Sequence, residues 1–239
     1  SLVLCFKIAK LIRSNEIIKF IYFALISVAI LQLNQYMFGG SGRYLNHREL
    51  PILLFLIFSM EIILKENKTF YAFLIGFISS ISIFFILDRG IYVNILTLFL
   101  LVYFLFRKEF KIVSLIILGL VLSWILLYII IGSKEFGYFL NDTYHYLLIK
   151  DFLDAYIYPT PFISGKFFST KGIIIIITSG LLVIYNLLVK NEKRDNSLNF
   201  YFFIIFLFGL LTYNNALGRV DADHIRYSTS ISILLIYLI

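Results

Sequence analysis

The chain has 239 residues, of which 61% are hydrophobic and 15% charged, with a mean hydropathy of +0.93. A soluble domain of this length needs more polar surface than that to cover its core, so a water-soluble globule is excluded. The net charge of +7 would point to nucleic acid in a soluble protein. Here Lys and Arg fall between apolar blocks, where they set topology and meet lipid headgroups, so no nucleic-acid partner is expected.

The apolar blocks run for about 15–20 residues, the spacing that a bilayer's hydrocarbon thickness demands of helices. Alternation of period two is absent over most of them, which argues against an outer-membrane barrel. The expected fold class is therefore all-α, a polytopic transmembrane helical bundle forming one integral membrane domain over residues 1–239. Cys5 is the only cysteine, so no internal disulfide can form. The chain lacks an initiating Met and stops in an apolar run, Ile231–Ile239, too short to span. It reads as a fragment of a longer protein.

In chain order, Ser1–Glu16 carries Lys7, Lys10 and Arg13 on an apolar background, and the first clear span is Phe20–Phe38. A Gly-rich polar turn over Gly39–Glu49 leads to a short span, Leu50–Leu64, with Pro51 suited to its first turn. Thr69–Leu87 follows, then a tight polar break at Asp88-Arg89-Gly90, then spans over Ile91–Phe106 and Ile112–Ile131. Gly132–Lys171 is the longest non-spanning segment, expected as a large non-cytoplasmic loop. Within it, Leu147, Leu148, Phe152, Leu153 and Ile157 mark an amphipathic helix over Asn141–Tyr158 suited to lie in the interface. Gly172–Val189 and Leu198–Tyr213 span again, and Asn214–Ser230 is polar. The reading gives seven full spans plus a truncated one, with no internal repeat and no soluble domain.

Positive charge in short loops sets orientation. With the N-terminus in the cytoplasm, twelve basic residues lie inside: Lys7, Lys10, Arg13, Lys19, Lys65, Lys68, Arg107, Lys108, Lys111, Lys190, Lys193 and Arg194. The outside short loops hold five, Arg43, Arg48, Arg89, Arg219 and Arg226. The same count puts all three histidines and six of the seven aspartates outside, so one face gathers the residues able to do chemistry.

The richest segment is Asn214–Arg226, which brings Arg219, Asp221, Asp223, His224 and Arg226 to the end of a span. Arginine grips phosphate oxygens in a bidentate fork, and Asp or His can serve as general base to a hydroxyl. A hydrated loop of mutually paired charges is the plainer reading, and an Asp-x-Asp-His metal site a third; the expectation carried forward is catalytic Asp221, Asp223 and His224 without metal or other cofactor. Asp88 and Arg89 stand where charge is costly unless paired or wet. They read as a binding site for an anionic lipid-linked substrate, or as a snorkelling Arg neutralised by its neighbour. Arg43, His47 and Arg48 form a basic patch, and His145 lies among tyrosines that suit an interface or a sugar-stacking surface. Glu61 is the one acid clearly within a span, with Lys65 four residues on as an ion-pair partner. No HExxH, Walker A, GxGxxG or CxxC pattern occurs, which argues against metalloprotease, ATPase and dinucleotide chemistry.

Two stretches resemble the O-antigen ligase and polymerase superfamily of bacterial surface-glycan assembly. Members carry a Ser-Arg-Gly-like element opening a long apolar helix, matched by Asp88-Arg89-Gly90 before Ile91–Phe106 with Asp in place of Ser. They also carry a periplasmic loop whose amphipathic helix runs into a P-l-x-G-x-G-x-F turn. Ile149–Phe168 is similar, with Pro161, Gly165 and Phe168 in like order. The likeness covers Ile81–Leu182, and the family's His-rich element after the turn is missing; Arg219–His224 is the nearest substitute. Multi-spanning glycosyltransferases that use polyprenyl-phosphate sugars are similar in their outside acids and arginines. The resemblance implies glycan transfer from a polyprenyl-linked donor to a glycan or lipid acceptor at the outer face of the bacterial inner membrane. Arg89 and Arg219 would hold the donor phosphate. A transporter or flippase for an anionic lipid or solute, with the same arginines lining its route, is the competing reading, and a non-catalytic membrane subunit a third.

Overall fold

The structure is a computed structural model that describes residues 50–64, 68–153, 161–162, 167–188, 196–217, 228–229, 231–233, 235–236 and 239. Among the described residues every regular element is helical. In chain order these are α1 (Leu50–Leu64), α2 (Thr69–Phe85), α3 (Leu87–Phe106), α4 (Phe110–Ile131), α5 (Ser133–Leu153), α6 (Phe167–Leu188) and α7 (Asn196–Leu217). Four described helices are long and apolar enough to cross a membrane, over Leu87–Phe106, Phe110–Ile131, Ser169–Leu188 and Asn196–Asn214. α1 and α2 are apolar but have 15 and 17 residues, roughly 22 and 25 Å of helix against a hydrocarbon core of about 30 Å. The lipid-facing character is plainest on α4, where Ile117, Leu118, Val121, Ile125, Ile129 and Ile130 are all exposed. Such a continuous apolar surface is untenable in water and suits hydrocarbon. The protein is an integral membrane protein.

The described helices fall into two compact units, α1–α5 in one and α6, α7 and the C-terminal pieces in the other. In the first, α2 lies at the centre and packs on α1, α3 and most extensively α4. The α2–α4 crossing is close because glycine stands at the contact from both sides. A Cβ on Gly76 would fall on the carbonyl oxygen of Ile116, and one on Gly119 would fall on that of Phe73. One turn beyond each glycine, Ser80 and Ser123 both donate to the Leu120 carbonyl, at 3.1 and 3.0 Å. Small residues that admit a second backbone, joined by short hydroxyl bonds, are how helices associate where lipid supplies no hydrophobic drive.

The expected break at Asp88-Arg89-Gly90 is displaced. The chain turns instead at Ile86, one extended residue (φ −158°, ψ 119°) between α2 and α3, and the polar triplet forms the first turn of α3. Two forces favour this. Asp88 in a first turn meets the positive end of the helix dipole. Gly90 permits the hairpin to close, because a Cβ there would strike the Ile83 backbone. Inside the hairpin, the Ser79 and Thr97 hydroxyls share a hydrogen bond of 2.5 Å. Asn94 Nδ2 donates to the carbonyls of Ser79 and Gly90 at 2.6 and 2.8 Å.

The far end of this unit is closed by charge. Lys68 Nζ, before α2, donates to both carboxylate oxygens of Glu109, before α4, at 3.0 and 3.2 Å. Arg107, after α3, has its Nε 3.3 Å from Glu109 Oε1. Asp88 and Arg89 thus lie at the opposite end from Lys68, Arg107 and Glu109.

Gly132–Lys171, expected to hold a helix over Asn141–Tyr158, is helical from nearer its start, and its residues 154–160 and 163–166 lie outside the described residues. Gly132 takes φ +84° after α4, and α5 starts at once with Ser133, eight residues earlier than the expected amphipathic helix. Of the expected apolar stripe, Leu147 and Leu148 are exposed, and the side chains of Phe152, Leu153 and Ile157 lie outside those described. Its first turns dock by aromatic contact: Phe139 stacks on Phe84 at 4.0 Å between centroids, and Phe136 meets Trp124 and Tyr128 edge-on at 5.7 and 5.5 Å.

In the second unit α6 packs against α7. Tyr213, buried, donates its hydroxyl to the Ser169 carbonyl at 2.7 Å and packs with Ile176. α7 continues through Asn214 and Asn215 to Leu217, so the polar segment expected from Asn214 begins helical. Leu235 is fully buried, and a Cβ on Gly209 would lie 2.7 Å from Ser232 Oγ.

Candidate functional site

Of the residues that charge and position mark for function, Asp88, Arg89 and His145 fall among those described. Arg43, His47, Arg219, Asp221, Asp223, His224 and Arg226 lie outside the described residues, as does Gly165 of the expected turn.

Arg89 occupies the first turn of α3 with a side chain only 11% exposed. Its Nη1 is 3.9 Å from Asp88 Oδ2, and its guanidinium stands 5.7 Å from the centroid of Tyr92, one turn on. Asp88 also accepts from the Arg89 backbone N–H at 2.9 Å through its other oxygen, so the carboxylate both starts the helix and balances the guanidinium. A cation placed this way costs less to hold at a membrane boundary than a bare one, since a carboxylate stands near its charge and an aromatic ring near one of its faces. The end of α3 adds outward-pointing N–H groups and a positive dipole to the same place. The arrangement favours an anion, and phosphate oxygens match the guanidinium fork.

Comparison with known proteins finds no family model, no curated protein and no solved structure that matches this chain.

His145 lies on α5, exposed, its ring 5.8 Å from that of Tyr144. It is six residues past Phe139, roughly 9 Å further along the helix from the aromatic anchor. The described contacts that fix α5 run through Phe136 and Phe139 and not through His145. Tyr144 and Tyr146 are exposed beside it, so the aromatic surface expected around His145 is present on a helix. Pro161 and Phe162 form a turn, in which the Phe162 N–H is bound by Thr170 Oγ1 at 2.9 Å. Glu61 is 1% exposed in α1, and its expected partner Lys65 lies outside the described residues.

Tyr92 and Asn94 have a part that the charge pattern alone does not reveal. Tyr92 is 6% exposed and lies against the Arg89 guanidinium, while Asn94 ties the first turn of α3 to α2. The usable signal is helical spacing: Tyr92 is i+3 from Arg89, on the same helix face.

Proposed function

We propose that the protein transfers glycan from a polyprenyl-linked donor to a glycan or lipid acceptor, at the outer face of the bacterial inner membrane, in cell-surface polysaccharide assembly. The chain crosses that membrane seven times with a partial eighth span, its N-terminal part cytoplasmic. The observation carrying this reading is Arg89, a nearly buried guanidinium held by Asp88 and Tyr92 at the end of a membrane hairpin. There it meets the depth at which a lipid-linked phosphate must lie.

In this mechanism Arg89 and Arg219 hold the donor phosphate. Asp221, Asp223 or His224 takes the proton of the acceptor hydroxyl. The acceptor oxygen forms its bond to the anomeric carbon as the bond from that carbon to the phosphate oxygen breaks, and the polyprenyl phosphate leaves with the electron pair. The arginines stabilise the charge that grows on the leaving group. Asp88, Arg226, Arg43, His47 and His145 have substrate-binding roles in this proposal. The hydroxyls and amide of the α2–α3 and α2–α4 seams are bound to backbone carbonyls or to one another. They serve to hold the helices of these two seams together.

The test is sugar transfer from a polyprenyl-linked donor in proteoliposomes. Arg89→Ala and Arg219→Ala are each expected to cut transfer by two orders of magnitude or more, in the range seen when one oxyanion donor is removed. Arg89→Lys should restore only part. Wild-type transfer in either alanine variant, with insertion verified, would sink the mechanism. Movement of labelled lipid across the bilayer without transfer would assign the carrier activity instead.

A further inference from the structure

The turn between α3 and α4 presents a second cationic surface, at the opposite end of the unit from Arg89. The helix closes with Lys108 N–H bound to Leu105 O at 3.0 Å and Glu109 N–H to Phe104 O at 2.9 Å. These are the paired bonds of a Schellman closure, in which the residue after the cap takes a left-handed conformation and is usually glycine. Here that residue is Lys108, at φ +59°. A side chain with a Cβ is sterically disfavoured at this φ, so a lysine stands where the fold alone would favour none.

Glu109 is the only acid between Asp88 and Glu135, and it faces inward to Lys68 and Arg107. Arg107 is further engaged by the Tyr103 hydroxyl, to which Nη1 donates at 2.6 Å. Among the described residues, the acid of this turn is therefore engaged within the bundle. Lys108 and Lys111 are exposed, and neither has an ion-pair partner among the described residues. Phe106 and Phe110 flank them with exposures of 84% and 64%. These are the ends of two membrane helices, so the rings meet the outermost acyl carbons while the ammonium groups reach the phosphate level.

We infer that the Phe106–Lys111 turn docks the headgroup of an anionic phospholipid, with Lys108 and Lys111 as the binding cations and Phe106 and Phe110 seating the turn at the acyl boundary. The occupant is a membrane lipid because the site joins charge to apolar rings at bilayer depth. A soluble anion would have no use for the rings. The inference is independent of the proposed glycan transfer, and holds whichever face is cytoplasmic.

The test uses the full chain, purified in detergent, with bound phosphatidylglycerol and phosphatidylcholine of identical acyl chains counted by native mass spectrometry. The wild type should retain phosphatidylglycerol in preference, and the preference should fall about fivefold for each lysine changed to glutamine at 108 and 111. Lys108→Gly removes a cation while relieving the left-handed backbone. It should lose the same factor while its helical circular dichroism and thermal midpoint stay at or above wild type. Lys134→Gln, after α4 and away from the turn, should leave the preference unchanged. A Lys108→Gln/Lys111→Gln double variant with the wild-type preference would overturn the assignment. Displacement of phosphatidylglycerol by excess inorganic phosphate alone would overturn it too, making the site one for a free anion.

Discussion

Gly76→Ala adds one methyl group where α2 and α4 come closest, and the sign of its effect separates local propensity from packing. In an exposed helix the change from glycine to alanine stabilises by about 1 kcal/mol. At Gly76 the new Cβ falls on Ile116 O and lies 2.8 Å from the Leu120 backbone nitrogen. Both are backbone atoms, so no rotamer change gives relief. The helices must part by roughly 1 Å to regain van der Waals contact. That movement stretches the Ser80 Oγ to Leu120 O bond, 3.1 Å at rest, and removes about 0.6 kcal/mol typical of such a bond within a membrane protein. Overpacking itself costs about 1–3 kcal/mol. Offset by propensity, the net loss is about 1–2 kcal/mol. Gly137→Ala, on α5 with nothing within 4 Å of the added Cβ, is the control of opposite sign and should stabilise or be neutral. Unfolding with rising SDS mole fraction in mixed micelles, followed by far-UV circular dichroism, measures both. A Gly76→Ala protein as stable as wild type or more so would refute the close α2–α4 crossing.

Phe139→Ala removes the ring stacked on Phe84 at 4.0 Å, a contact worth about 0.5–1.5 kcal/mol beyond its buried area. Amide hydrogen exchange should quicken over Ser133–Leu153 and stay unchanged in α2 and α4; unaltered exchange in α5 would place its anchor elsewhere. Tyr213→Phe loses the 2.7 Å bond to Ser169 O and leaves that carbonyl buried, for a loss of about 1 kcal/mol. The same SDS titration reads it, and an unchanged midpoint would show that the hydroxyl does not tie α6 to α7.

Apolar block lengths were enough to find the described apolar helices but not their joints; the expected span Phe20–Phe38 lies outside the described residues. Leu50–Leu64 is helical as its apolar run and Pro51 in a first turn imply, because both are local signals. Asp88-Arg89-Gly90 carries the composition of a break and is none. Asp88 serves the helix start, Gly90 serves the contact with Ile83, and the true joint at Ile86 needs only an extended residue, which any side chain permits. The helix expected from Asn141 begins eight residues earlier, at Ser133, where its first turns dock through Phe84, some fifty residues back in the chain. A partner that distant leaves no local periodicity. Arg89 and its neutralisation by Asp88 are legible as neighbouring charges in an apolar setting, whereas the ring of Tyr92 beside the guanidinium depends on where α3 begins.

The single-residue joint at Ile86 also fixes an angle. A helix turns about 100° for each residue, and one extended residue leaves no slack in which a phase error could be absorbed. An extra residue after Ile86 would swing Arg89 away from its present bearing and carry Asn94 and Thr97 off their partners on α2. The direction in which the guanidinium points is therefore tied to the same hydrogen bonds that close the hairpin.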